Sequence, residues 1–306
     1  MDWVERVRTL RQWSGNGTRA PHKPLLMLYA LGRFQRAPGQ DLPYTEVEGD
    51  LKELLRDFGP PRQTSPSYPF HHLESDGVWE VRTDDGPGSP GSGVTVLRES
   101  GARGRLAPGL RSALDTDPAL LERLAQLLLD THFAPSLHTD LTAAVGLDLD
   151  AVDEARRVMV PVRDRRRAAE LRREVLSAYA FRCAFCGFDG AVGRVPVGLE
   201  AAHVRWWAFR GADALHNALC LCSLHHRLFD RGVLGLDPGR RITVSDAFTG
   251  HGTAARDQVF ALADRRVEDP PGGGEPVAPE NIAWHTGQVF RGTSPAAGTA
   301  EPVTAC

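Results

Sequence analysis

The chain has 306 residues, 42% of them apolar and 25% charged, enough for about two globular domains. Its net charge of −3 excludes a uniformly basic nucleic-acid binder, and no apolar run approaches the roughly 18 residues of a membrane span. Five cysteines, four of them within forty residues, argue for metal in a reducing compartment rather than a disulfide framework; with a charged start instead of a signal peptide, the expectation is a cytoplasmic protein.

Residues 2–13 carry apolar side chains at Trp3, Val4, Val7 and Leu10, a helical face. After a polar loop, Pro24 opens a helix over 25–34 that is apolar on most sides and so is expected to be buried. A third helix is expected over 45–58, with Thr45 as its cap. A breaker-rich loop leads to the aromatic segment 68–73. Residues 77–81 alternate as a strand, with 94–97 expected to pair with it in a small hairpin. Helices follow over 118–133, capped by Asp117, and over 139–145. Residues 163–180 read as an Arg-rich helix, and the stretch 163–182 holds seven Arg against three acids. Charge is uneven: residues 1–160 net −5, residues 161–306 net +2. Because Lys23 and Lys52 are the only lysines, Arg abundance reads as genome composition and not, by itself, as DNA contact. Beyond residue 230 the pattern gives a strand over 241–244, helices over 253–266 and 281–290, and a disordered tail over 292–306. The expected organisation is a domain over 1–155, a linker helix over 156–182, a second domain over 183–291 and the tail. The fold class is α+β.

The most informative stretch lies in the second domain. Cys183 and Cys186 form one pair with a two-residue gap, and Cys222 and His225 form another, 35 residues on. Zinc takes four Cys or His ligands in a tetrahedron, and such a gap lets one turn present two of them. These four are the expected structural zinc site, and Cys220 is expected to be a buried thiol. Between and beside the pairs stand His203, Asn217 and His226.

These positions, with Glu200-Ala-Ala-His203 and the run from Cys222 to Asp230, resemble the HNH nuclease family and its McrA-like branch. The resemblance implies a ββα-metal fold and phosphodiester hydrolysis. It makes His203 the base that takes a proton from water, Asn217 the residue that ties the loop, and His226 a ligand of a divalent ion such as Mg²⁺ or Mn²⁺. Many members carry a second ligand where this chain has Ala202. Glu200 is a weak replacement, since the strand alternation puts it off the face of His203.

Two patches in the first domain, Arg19 to Leu26 and Tyr68 to Leu73, resemble the sulfur-binding domain of restriction enzymes that cut phosphorothioate-modified DNA. On residues alone, they would set up a helix start and pack a loop. The resemblance implies that Arg19, His22 and Lys23 hold phosphate oxygen and bases. Tyr68, Pro69 and His72 would shelter the sulfur, which is larger and less hydrated than oxygen. The expected partner is phosphorothioated double-stranded DNA, with no membrane. One HNH site nicks one strand, so a double-strand break points to a homodimer. Two alternatives stand beside this type IV restriction endonuclease: an HNH nuclease reading methylcytosine, and a zinc-stabilised DNA-binding regulator without catalysis.

Overall fold

The computed structural model describes residues 2–11, 20–62, 64–149, 162–271 and 274–292, with residues 162–166 described by their backbone. Arg19, residues 150–161 with the first part of the expected linker over 156–182, and the tail beyond Gly292 therefore lie outside the described residues. Helix α1 (Trp3–Arg8) starts at Asp2, whose carboxylate accepts the amides of Val4 and Glu5 at 3.0 and 3.1 Å. Helix α2 (His22–Arg36) is buried from Pro24 to Gly32 because other helices cover it on several sides. They are α3 (Tyr44–Phe58), α4 (Ser67–His72), and α7 (Ala119–His132) with α8 (His138–Val145). Each leucine enclosed there contributes about 2 kcal/mol by burial. The segment expected to run as a loop through Tyr68 and Phe70 is helix α4.

A four-stranded antiparallel sheet closes the other side of this core. Its order is β1 (Leu42–Pro43), β4 (Arg103–Leu106), β2 (Trp79–Thr83), β3 (Gly86–Pro87). Trp79 stands opposite Leu106, and Val81 opposite Gly104. A Cβ at Gly104 would lie 2.0 Å from the Trp79 ring, so the glycine makes room for that indole. Residues 94–97 do not join the sheet, contrary to expectation: they belong to helix α5 (Val94–Glu99). Gly101 ends that turn in the left-handed region, with the Ala102 amide returning to Leu97 O at 3.1 Å, and the strand begins two residues later. Helix α6 (Pro108–Thr116), with proline in its first turn, completes the domain.

The second half is built on α9 (Val162–Ala178). It packs on a hairpin of β7 (Leu199–His203) and β8 (Ala218–Cys222), paired from Leu199 opposite Cys222 to His203 opposite Ala218. A short hairpin, β5 (Ala191–Val192) and β6 (Val195–Pro196), precedes it. Helix α10 (Ser223–Asp230) leaves β8 directly, giving the ββα order. A hairpin of β9 (Leu234–Leu236) and β10 (Ile242–Val244) follows, then α11 (Thr253–Gln258) and α12 (Pro279–Gln288).

Each half has its own apolar core. A third, small cluster joins them: Ala134 and Leu137 meet Trp206, Trp284 and Val289. Polar contacts flank it. Arg231, just after α10, lies over the Phe58 ring at 4.8 Å and 3.5 Å from Asp140. Arg291 donates to the carbonyls of Arg56, Asp57 and Gly59 at the end of α3. Among the described residues no helix is long and apolar enough to cross a membrane.

Candidate active site and metal centre

The tight turn at Cys183 carries two of the four expected metal ligands. The Cys183 amide reaches Phe188 O and the Gly187 amide reaches Cys183 O, both at 2.8 Å, with Gly187 at φ 77°. The Ala184 amide binds Cys220 O at 2.7 Å and fixes this turn beside β8. Cys222 precedes α10 and His225 sits in its first turn. The donor atoms of Cys183, Cys186, Cys222 and His225 all lie within 4.8 Å of one another. His225 Nδ1 is 3.1 Å from Cys222 Sγ and 3.6 Å from Cys183 Sγ, while its Nε2 donates to Gln258 O at 2.7 Å. That second bond leaves Nδ1 as the lone-pair nitrogen aimed at the sulfurs, the arrangement of a metal-ligating histidine. Hydrogen bonds from Cys186 and Cys222 hold the Cys183 thiol far below its ordinary value, and hydrogen bonding to Cys183 pushes Cys186 up. Three sulfurs and one imidazole fit a structural zinc ion. Cys220, buried outside this set, is pushed up to about 12 by burial, in keeping with a thiol that stays protonated.

The three HNH positions fall around the β7–β8 hairpin. His203 ends β7, and its Nε2 lies 2.9 Å from Asp213 Oδ1. Asn217 is fully buried at the foot of the loop between the strands. Its Oδ1 accepts the Arg205 amide at 2.8 Å, and its Nδ2 donates to Arg205 O and Ala212 O, each at 2.9 Å. One side chain thus pins both ends of the segment that carries Asp213. His226 on α10 has carboxylates at both nitrogens: Glu200 Oε2 at 2.6 Å from Nδ1, and Asp230 Oδ2 at 3.1 Å from Nε2. Burial works against its charge, but Asp230 and then Glu200 raise its pKa to about 10. The hydrogen bond from His226 holds Glu200 down to about 2, against burial.

Three carboxylates flank these residues, and the sequence reading gave no role to Asp213 or Asp230 and only a weak one to Glu200. Asp213 stands in an irregular loop, where spacing predicts nothing. Asp230 carries a detectable signal, since position i+4 from His226 shares its helix face. Glu200, a weak candidate for lying off the face of His203, reaches His226 with its carboxylate.

In the first domain, Lys23 Nζ is 2.5 Å from Asp76 Oδ2, tying the start of α2 to the turn after α4. His22 is in the first turn of α2, its Nε2 buried without a hydrogen-bond partner among the described residues and its pKa lowered chiefly by burial. Tyr68 is 62% exposed, its ring 4.2 Å from that of His72, whereas Pro69 is buried beneath them in α4. The two expected DNA-reading patches therefore adjoin through α2 and α4.

Residues 1–150 match the family model of the ScoMcrA-like DNA sulfur-binding domain, and residues 183–237 match that of the HNH endonuclease. No curated protein matches the chain. Similar solved structures include the sulfur binding domain of SprMcrA complexed with phosphorothioated DNA, at 25% identity and TM-score 0.42, over 49% of this chain and 95% of that one. The same domain of ScoMcrA, also with phosphorothioated DNA, matches at 20% and 0.41, over 48% of this chain and 96% of that one. The type IV phosphorothioation-dependent restriction endonuclease ScoMcrA matches at 19% and 0.40, over 48% of this chain and 32% of that one. The chain therefore carries a ScoMcrA-like DNA sulfur-binding domain followed by an HNH endonuclease domain.

Proposed function

We propose that this chain recognises phosphorothioate-modified double-stranded DNA through its first domain and hydrolyses phosphodiester bonds nearby through its second, as a type IV restriction endonuclease. The observation that carries this reading is the order of the two family matches on one chain, a sulfur reader followed by an HNH nuclease.

In the reader, the exposed Tyr68 ring, backed by His72, offers an apolar surface on which sulfur loses little hydration. His22 and the Asp76-anchored Lys23 lie at the start of α2 to meet the remaining phosphate oxygen and nearby bases, a task the resemblance also gives to Arg19. In the nuclease, His203 acts as the general base. Its Nε2–H donates to Asp213, which leaves Nδ1 with a lone pair for the proton of water. Asn217 holds the loop in which Asp213 sits, so its part is orientation. Arg167, on the Arg-rich helix α9, comes within 3.9 Å of Asp213 and brings positive charge beside His203. Glu200 and His226 Nδ1 form an oxygen and nitrogen donor pair suited to a divalent cation, and Asp230 takes the Nε2–H that fixes the ring. When bound there, Mg²⁺ or Mn²⁺ supplies neutralising charge at the scissile phosphate and the leaving oxygen. Two chains acting together would account for cutting both strands.

The test is cleavage of matched plasmids, phosphorothioated and plain, with Mg²⁺ or Mn²⁺. Cutting confined to the modified plasmid is expected. Equal cutting of both would sink the sulfur-dependent reading and leave a nuclease of other specificity.

A further inference from the structure

We propose that Ser136, which belongs to the sulfur-binding domain, is a positioning residue of the nuclease: it holds Asp230, and through Asp230 the ring of His226. This rests on His226 belonging to the catalytic centre.

Ser136 lies in the single turn Pro135–Leu137 between α7 and α8, inside the segment matched as the sulfur reader. Its hydroxyl donates to Asp230 Oδ2. The same carboxylate accepts the Trp206 indole N–H at 3.0 Å and faces His226 Nε2 at 3.1 Å. The Asp230 side chain is 2% exposed, so water cannot replace a missing donor. A buried carboxylate is stable only when its lone pairs are met. Here three donors meet them, one each from the reader, the β7–β8 loop and α10. The Ser136 donor shares Oδ2 with His226, so it sets where that oxygen lies relative to the imidazole.

The placement is firm on both sides. Ala134 and Leu137, flanking Ser136, pack into the cluster with Trp206 and Trp284, whose rings meet at 5.9 Å. Arg231, the residue after Asp230, is held to the reader by Phe58 and Asp140. Adhesion between the halves is thus supplied by apolar and half-buried charged contacts. A hydroxyl aimed at the carboxylate that faces His226 Nε2 adds nothing that adhesion needs. It adds direction, so the nuclease reaches its working geometry only with the reader seated against α10.

Threonine and valine have nearly the same shape and differ in the hydroxyl, so Ser136→Thr and Ser136→Val share any packing disturbance. Both full-length variants are compared with the parent on a phosphorothioated duplex. Ser136→Val is expected to lower kcat roughly tenfold with KM, duplex affinity and zinc content unchanged, and Ser136→Thr to restore kcat. Equal kcat for the two variants, whether both high or both low, overturns the proposal. If Ser136→Val fails to melt cooperatively, Ser136→Ala takes its place with the same expectations. A parent that binds the duplex and cuts nothing would defeat the nuclease reading instead. The Thr–Val contrast is then read from the proton resonance of His226 Nε2–H, assigned by its loss in His226→Gln: a shift confined to valine supports the positioning role, and no difference ends it.

Discussion

Asp213 decides which nitrogen of His203 carries a proton, and that choice decides whether the ring can act as a base. With 2.9 Å between Asp213 Oδ1 and Nε2, the hydrogen bond favours the tautomer with a free lone pair on Nδ1. His203→Ala should therefore reduce cleavage by about 10²–10⁴-fold, with zinc content and duplex affinity retained. Asp213→Asn should cost less, roughly 10–100-fold, because the ring stays in place while its tautomer is no longer enforced. Single-turnover cleavage on one modified duplex measures both; wild-type rates for His203→Ala would remove it as the base. The histidines and Asn217 were legible because a short motif fixes their spacing. Their carboxylate partners come from a loop, from β7 and from the far end of α10. Helical spacing can name Asp230, but only tertiary structure brings Asp213 and Glu200 to the rings.

The unit formed by the Cys183 turn, the β7–β8 hairpin and α10 has the four candidate metal ligands at its corners. Two of these belong to the turn before the hairpin, and the other two mark the junction of β8 with α10. The four donors, held within 4.8 Å of one another, form their ligand bonds only with an ion between them, so binding energy at this site is folding energy. Purified protein should carry about one zinc per chain, and Cys183→Ser should lose it together with the ordered second domain. Elemental analysis beside thermal melting tests this; a metal-free variant that melts and cuts like the parent would remove the site. The elements themselves were readable where periodicity runs long, as in α3 and α7. Reading failed where a short segment had two uses. Residues 94–97 alternate well enough for a strand, but the left-handed Gly101 ends a helical turn there and hands the pairing to Arg103–Leu106. Likewise Pro69 suggested a loop, yet proline fits the first turn of α4 at no hydrogen-bond cost.

Across the whole molecule, reading and cutting are distinct chemical tasks that meet at one interface. Recognition should therefore change without altering the nuclease. In a His203→Ala background, the full chain should prefer a phosphorothioated duplex over its ordinary counterpart by roughly 2–4 kcal/mol, as one apolar patch and one or two charge-assisted bonds would give. Tyr68→Ser should erase most of that preference, whereas Arg19→Ala should weaken binding to both duplexes and flatten the salt dependence. Paired titrations at fixed salt decide it; equal affinity of the unaltered reader for both duplexes would end the sulfur assignment. The arrangement of the two halves was not legible in the sequence, because the contacts that fix it join residues far apart in the chain and follow no period. Arg291 is the clearest instance. It grips Arg56, Asp57 and Gly59 by their carbonyl oxygens, where α3 ends. Every residue has a carbonyl, so this grip is indifferent to side-chain identity and sensitive only to where a helix stops. The reader's outer surface can be rewritten for another mark on DNA without disturbing this grip, provided the replacement ends a helix at the same spot.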